Sequence, residues 1–249
     1  ISATSIILSV CLTSACFSTP EKKTESAQDL IKEGIEGIKA NARLQARTAF
    51  QQVLDEFPDS KERKQALLLL ARTYYTEKEF EEAKFYFQKF IELYPVHPQV
   101  DRAYFFKAMS DYKMIDLVSR DQTPTQEALD GFKQFINRFP KSQFLEDAKK
   151  KLQKCKLKLA ESVLKIGKFY YRTGAYQSAI NRLKSLMIDH PQQKILEEAI
   201  FLIAESYYHE QNFDEALVSY KKLLKKYPKS QFKLQTINRL KNLRRQSTL

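Results

Sequence analysis

At 249 residues, 43% hydrophobic and 29% charged, the chain is long enough for one or two domains or a repeat array, and apolar enough to bury a core. Only 5 glycines argue against glycine-rich nucleotide loops and against an all-β fold of tight turns. No apolar stretch reaches the ~20 residues that a membrane-spanning helix needs, and the formal net charge of +12 is compatible with nucleic acid, anionic lipid or an acidic partner without choosing among them.

The first element is a processing signal. Residues Ile1 to Ala15 carry no charge, contain the apolar run Ile6-Ile7-Leu8 and end in small residues before Cys16, as the h-region and cleavage site of a secretory leader do. With no Met and no basic n-region, the leader reads as shortened at its start. Leu12-Thr13-Ser14-Ala15-Cys16 resembles a lipobox, which implies lipidation of Cys16; an ordinary signal peptide with an incidental Cys16 is the other reading. Phe17 to Ala27 is polar with one proline, as a tether is expected to be. With Cys11 in the leader and Cys16 lipidated, Cys155 is the one thiol left and no disulfide framework is possible; in its helical setting it reads as a small packing residue.

Downstream, one punctuation mark recurs five times: Phe57-Pro58, Tyr94-Pro95, Phe139-Pro140, His190-Pro191 and Tyr227-Pro228, with the prolines 37, 45, 51 and 37 residues apart. Each proline ends one apolar helical stretch and precedes another. Counting back from it exposes the tetratricopeptide pattern of two helices, A and B, per repeat. The second repeat shows Leu67, Leu70, Ala71, Tyr74, Ala83 and Phe87, the fourth Val163, Ile166, Gly167, Tyr170, Ala179 and Leu183, and the fifth Ile200, Ile203, Ala204, Tyr207, Ala216 and Tyr220. The third keeps Tyr104, Ala108, Ala128 and Phe132; the first keeps Ala46, Phe50 and Val53. Small residues let the paired helices approach, large ones fill the gaps, and no pair buries its apolar face alone. The expected fold is therefore an all-α solenoid of five helix-turn-helix repeats.

Two departures from regular spacing stand out. The third repeat carries an insertion, Ile115 to Thr125, between its helices. From Ser142 to Thr173 there is no proline and only Gly167, which predicts one continuous helix of ~45 Å. Its first half holds Lys149, Lys150, Lys151, Lys154, Lys156 and Lys158, a solvated face or a contact for acidic groups. His97, His190 and His209 fall in different repeats, and neither HExxH nor GxxxxGK[ST] occurs, so no catalytic residue, metal site or cofactor is expected.

Leader, tether, repeat count, insertion and long helix together resemble the BamD-type lipoproteins of the outer-membrane β-barrel assembly machine. The likeness covers roughly Ala27 to Phe232. It is most specific at Tyr94-Pro-Val-His-Pro-Gln-Val-Asp-Arg-Ala-Tyr104, at Arg120-Asp121-Gln122-Thr123, and from Leu159-Ala-Glu through Gly174-Ala-Tyr-Gln-Ser-Ala-Ile-Asn-Arg182. The resemblance implies a non-catalytic subunit on the periplasmic face of a Gram-negative outer membrane, held by lipid on Cys16; Phe17, where a retention signal would carry Asp, fits that address. Implied partners are a barrel-forming subunit, companion lipoproteins and unfolded β-barrel clients, with no nucleic acid. Another periplasmic repeat lipoprotein, a cell-division coordinator or a pilus-assembly factor, is the alternative.

The expected organisation is a leader over 1–15, a lipidated tether over 16–26, a client-binding half over 27–140 and a partner-docking half over 141–249. Helix A lines the concave face of such a superhelix. Leu68, Arg72, Tyr75, Arg102, Phe105, Met109 and Tyr112 are therefore expected to form a groove for a segment ending in an aromatic residue and a carboxylate. By analogy with the family, Arg172, Arg182, Arg239 and Arg244, with Lys241 and Arg245, are candidate docking contacts.

Overall fold

The computed structural model describes residues 26–115, 121–191 and 195–246, which form eleven helices and no strand. Five helical hairpins follow one another: α1 (Ala27–Lys39) with α2 (Arg43–Glu56), α3 (Arg63–Glu77) with α4 (Phe80–Leu93), α5 (Val100–Met114) with α6 (Thr123–Arg138), α7 (Leu145–Arg172) with α8 (Tyr176–Asp189), and α9 (Leu196–His209) with α10 (Phe213–Lys226). A last helix, α11 (Lys233–Gln246), closes the array. Each helix packs on the next in chain order, the arrangement of a tetratricopeptide solenoid. The leader, Cys16 and the tether up to residue 25 lie outside the described residues.

Local chemistry sets the joints. The residue before each of the five prolines, Phe57, Tyr94, Phe139, His190 and Tyr227, caps its helix with φ between −133° and −127° and ψ between 56° and 71°. The proline ring forces its predecessor out of the α region, so the helix stops there. Inside four hairpins the turn needs a left-handed residue, supplied by Asn41 (φ 58°), Lys78 (φ 68°), Gly174 (φ 79°) and Gln211 (φ 59°). In the third hairpin the insertion stands between the two helices. That insertion is shorter than expected: Thr123–Thr125 belong to α6, where Pro124 suits a first turn that needs no N–H. Residues 116–120 lie outside the described ones.

The small consensus residues do what their spacing predicts. Ala46, Ala71, Ala83, Ala128, Ala179, Ala204 and Ala216 are fully buried, and a Cβ at Gly167 would strike the Leu183 side chain. Around them sit the large buried residues, among them Phe50, Phe87, Phe90, Phe132, Phe135 and Tyr220. They divide into two core clusters, one from Ala27 to Cys155 and one from Ala160 to Leu243. The seam between these clusters falls inside α7. At 28 residues, α7 is the continuous helix expected, ~42 Å long, and it belongs to both cores. Cys155 sits at that seam with no exposed surface, and burial pushes its thiol up to about 12, which makes it a packing residue with little nucleophilic character.

Two of the linkers share a serine latch. Ser142 Oγ donates to Asp101 Oδ2 (2.6 Å) and accepts from the Phe144 N–H (3.3 Å). Ser230 Oγ likewise donates to Glu197 Oε1 (2.6 Å) and accepts from the Phe232 N–H (3.0 Å). Behind each latch two rings stack: Phe105 on Phe144 at 4.6 Å and Phe201 on Phe232 at 4.4 Å. A serine in the linker thus ties the next helix to the first turn of the previous helix A.

Candidate functional site

The concave positions named from the repeat pattern do not all reach solvent. Leu68, Phe105 and Met109 are 6%, 4% and 7% exposed and belong to the first core. The expectation that Phe105 and Met109 present groove surface is corrected here, whereas Leu68 still edges a cleft. The start of the next repeat covers this part of α5, as Phe105 stacked on Phe144 shows. Tyr75 is half-buried, edge-on to Phe80 and Phe106, and burial raises its phenol above the ordinary value. Tyr112 is half-buried too, edge-on to Phe132, with the Lys151 ammonium 4.8 Å from its ring centre.

The two arginines fare differently. Arg72 on α3 is exposed, and Arg102 on α5 is half-buried with its guanidinium 5.9 Å from the Phe144 ring. Together with Leu68 they line one cleft of about 340 Å³ between α3 and α5. Lys64, Gln65, Leu69, His97 and Gln99 complete its wall; the repeat pattern does not single them out. The nearest sequence signal was the Pro95-Val96-His97-Pro98 linker, which carries His97 to the cleft. There His97 packs edge-on to Phe90, and its Nδ1 accepts the Gln99 N–H at 3.2 Å. Among the described residues, none of Lys64, Arg72 and Arg102 forms an ion pair. Three free cations over an apolar floor attract a carboxylate.

A second cleft, about 490 Å³ and mainly apolar, adjoins the first between α1 and α3. Ile35, Ile38 and Leu69 form its apolar wall, and Arg72 and Leu69 belong to both clefts. Helix α1 begins at the Ser26 cap, whose side chain accepts the Asp29 N–H. It precedes the first proline mark, so proline spacing could not reveal this wall.

The docking candidates separate as well. Arg172, at the last turn of α7, and Arg182, on α8, are exposed. Arg244 is exposed near the end of α11. Arg239 is not available for docking: its guanidinium turns inward and grips Glu205 with Nε–Oε1 at 3.0 Å and a second bond at 2.8 Å. Tyr220 donates to the same carboxylate, and the Arg239 guanidinium lies 4.3 Å from the Tyr208 ring centre. Glu205 is only 5% exposed, and a buried carboxylate needs such partners.

A second buried acid lies upstream. Asp111, 2% exposed, occupies the place where repeats two, four and five carry the consensus tyrosine. Lys84 pairs with it at 2.7 Å and with Glu127 at 2.7 Å. In the preceding interface the same pair of positions holds Arg47, 5.0 Å from the ring centre of Tyr74. Arg47 also pairs with Glu77 at 3.1 Å, so each interface joins its helices through an ion pair from this position of helix B.

Comparison with known proteins follows this geometry. Residues 23–212 match the model of the YfiO family, described as outer membrane lipoprotein, and residues 198–230 match a tetratricopeptide repeat model. An outer membrane protein assembly factor BamD from Caulobacter vibrioides is 29% identical over 64% of this chain, a match that spans 52% of that protein. The protein of the same name from Rickettsia prowazekii is 29% identical over 82% of this chain and 81% of its own length. Among solved structures, a TPR repeats protein from Bacteroides fragilis is similar, at 14% identity and a TM-score of 0.47, over 90% of this chain and 100% of that one.

Proposed function

From the premise that this chain belongs to the YfiO family of outer membrane lipoproteins, we propose that it is a non-catalytic subunit of a β-barrel assembly machine, anchored by lipid on Cys16 at the periplasmic face. In this reading the half over 27–140 binds unfolded barrel clients, and the half over 141–249 docks the barrel-forming subunit and companion lipoproteins, with Arg172, Arg182 and Arg244 as contacts. The observation that carries the client reading is the pair of adjoining clefts that meet at Arg72, each combining cationic side chains with apolar wall. A client segment ending in an aromatic residue places its carboxylate against Arg72, Arg102 and Lys64, and its ring against Ile35, Ile38 and Leu69. Arginine forks suit a terminal carboxylate because they pair with both oxygens.

The test uses a fluorescent barrel C-terminal peptide with a free carboxylate and the same peptide amidated. Arg72→Glu is expected to weaken the free-acid peptide at least tenfold, about 1.4 kcal/mol, and to matter little for the amide. Equal affinity in wild type and Arg72→Glu removes these clefts as the client site. Tyr75→Ala is a poorer probe, since removing a half-buried ring from its contacts with Phe80 and Phe106 disturbs packing. For the anchor, Cys16→Ser is expected to leave outer-membrane fractions when partner proteins are absent.

A further inference from the structure

The net charge is not spread along the chain. Residues 216–249 hold ten Lys and Arg and no Asp or Glu, so the 215 residues before them carry 32 cations against 30 acids. Ten of the twelve net positive charges therefore lie on α10, on α11 and on the residues that join and follow them. A charge imbalance confined to one end of a chain points to a membrane surface, a nucleic acid or an acidic partner.

The fold sorts these cations by face. On α10, Lys221, Lys222, Lys225 and Lys226 are exposed and span ~140° of the helix circumference at ~100° per residue, opposite the buried Ala216, Tyr220 and Leu223. Val218, 60% exposed, lies within that stripe. Asp214 and Glu215, the acids of α10, stay in its first turn. On α11, the exposed Lys233, Lys241, Arg244 and Arg245 span ~120° on the side away from the buried Thr236 and Leu243. Leu234, 76% exposed, lies within this second stripe. Lys229, also exposed, stands between the two stripes along the chain, and of the ten only Arg239 turns inward, to Glu205. Among the described residues, none of Lys221, Lys222, Lys225, Lys226, Lys229 and Lys233 forms an ion pair.

The make-up of this surface selects its occupant. Seven of the ten cations are Lys. A Lys ammonium is a point charge on a flexible stem and suits a diffuse field of phosphates, whereas a defined carboxylate or base edge is gripped best by an Arg fork. Neither client cleft includes any of these lysines. One exposed aliphatic side chain within each basic stripe matches an interfacial helix, whose cations meet the headgroups while its apolar side chains enter the acyl boundary. Nucleic-acid phosphates would attract the same lysines, but membership of an outer membrane lipoprotein family places the chain beside a bilayer.

We propose that the α10–α11 end is a second membrane contact, which lies on a phospholipid surface rich in anionic headgroups. The lysines of α10 sit among the phosphates, and Val218 and Leu234 reach the acyl boundary. The inference goes beyond the acyl anchor at Cys16: a chain held by lipid at one end and drawn down at the other lies along the membrane instead of hanging from its tether.

The test uses the mature chain carrying Cys16→Ser, which removes the acyl anchor, so that failure of the anchor and failure of this contact are read separately. Arg244, assigned above to partner docking, is left in place. Binding is expected to vesicles of mixed phosphatidylglycerol and phosphatidylcholine but not to pure phosphatidylcholine, and should weaken at least tenfold as salt rises from ~0.1 M to ~0.5 M. Combining Lys221→Gln, Lys222→Gln, Lys225→Gln and Lys226→Gln should weaken it at least tenfold with unchanged thermal unfolding, since all four side chains are exposed. If that variant is destabilised, Lys229→Gln with Lys233→Gln serves instead and should weaken binding severalfold, as should Val218→Gln with Leu234→Gln. The matched set on α7, Lys149→Gln, Lys150→Gln, Lys154→Gln and Lys158→Gln, is equally exposed and should change binding far less. Equal binding to pure phosphatidylcholine, equal losses in the α7 and α10 sets, or unchanged affinity in the folded α10 or linker variants overturns the proposal. Binding of polyglutamate or of a DNA duplex that the α10 set abolishes, with no binding of the mixed vesicles, overturns it in favour of an acidic macromolecule.

Discussion

Asp111 in the middle of the array and Glu205 near its end are both buried helix-A carboxylates, and they are satisfied in different ways. Glu205 receives two bonds from the Arg239 fork and one from the Tyr220 hydroxyl, so α9, α10 and α11 meet at one carboxylate. Asp111 has the ammonium of Lys84, which it shares with the more exposed Glu127, so α4, α5 and α6 meet there. The electrostatics follow the geometry. Hydrogen bonding to Glu205 outweighs desolvation and raises Arg239 above its ordinary value, while burial and the same carboxylate raise Tyr220. At Asp111 burial outweighs Lys84, and the carboxyl sits above its ordinary range. Burial also pulls Lys84 down, but its two carboxylate partners more than compensate, and its net shift is upward. A planar fork with a phenol stabilises a buried carboxylate more completely than one shared ammonium does.

The largest effect expected from this contrast is at Arg239. Arg239→Met leaves Glu205 buried without its cation and releases the closing helix, at a cost of about 3 kcal/mol, the lower part of the range for breaking a buried pair because Arg239 is itself 32% exposed. Urea unfolding reads the loss, and amide exchange should show α11 opening first; a loss below ~1 kcal/mol would mean that the fork is ornamental. Next comes Lys84→Met, expected to cost about 2 kcal/mol, with Asp111→Asn partly rescuing it. Strict additivity in that double-mutant cycle would separate the two residues energetically.

The third test is the pH profile of Asp111. Its folded carboxyl holds its proton more tightly than the unfolded value of 3.8, so the folded state gains from protonation. Relative to Asp111→Asn, the wild type should therefore gain stability as pH falls from neutrality toward about 4 and lose it again as pH rises through the raised folded value. An opposite slope would show that Lys84 outweighs burial. The smallest effect concerns the hairpin turns. Gly174 has a left-handed φ of 79° and no atom within 4 Å of a built Cβ, so Gly174→Ala costs only backbone strain, about 1 kcal/mol in thermal unfolding.

Much of the fold was legible in the sequence because it is written in local chemistry. Each proline ejects its predecessor from the helix, each buried alanine marks a close approach, and a stretch without proline from Ser142 to Thr173 becomes one helix. These rules act within a few residues and survive any tertiary context, so the five hairpins and the long α7 could be counted in advance. What only the tertiary structure decided was how the faces were used. Periodicity marks the apolar stripe of a helix A, but whether Phe105 or Met109 faces a groove or the next helix depends on how closely the repeats stack. Charge shows the same limit. Arg239 reads as a surface cation until α11 folds back onto Glu205, 34 residues earlier in the chain. Side-chain partners are chosen by long-range contacts, and a single sequence records the helices that meet without recording which side chains meet.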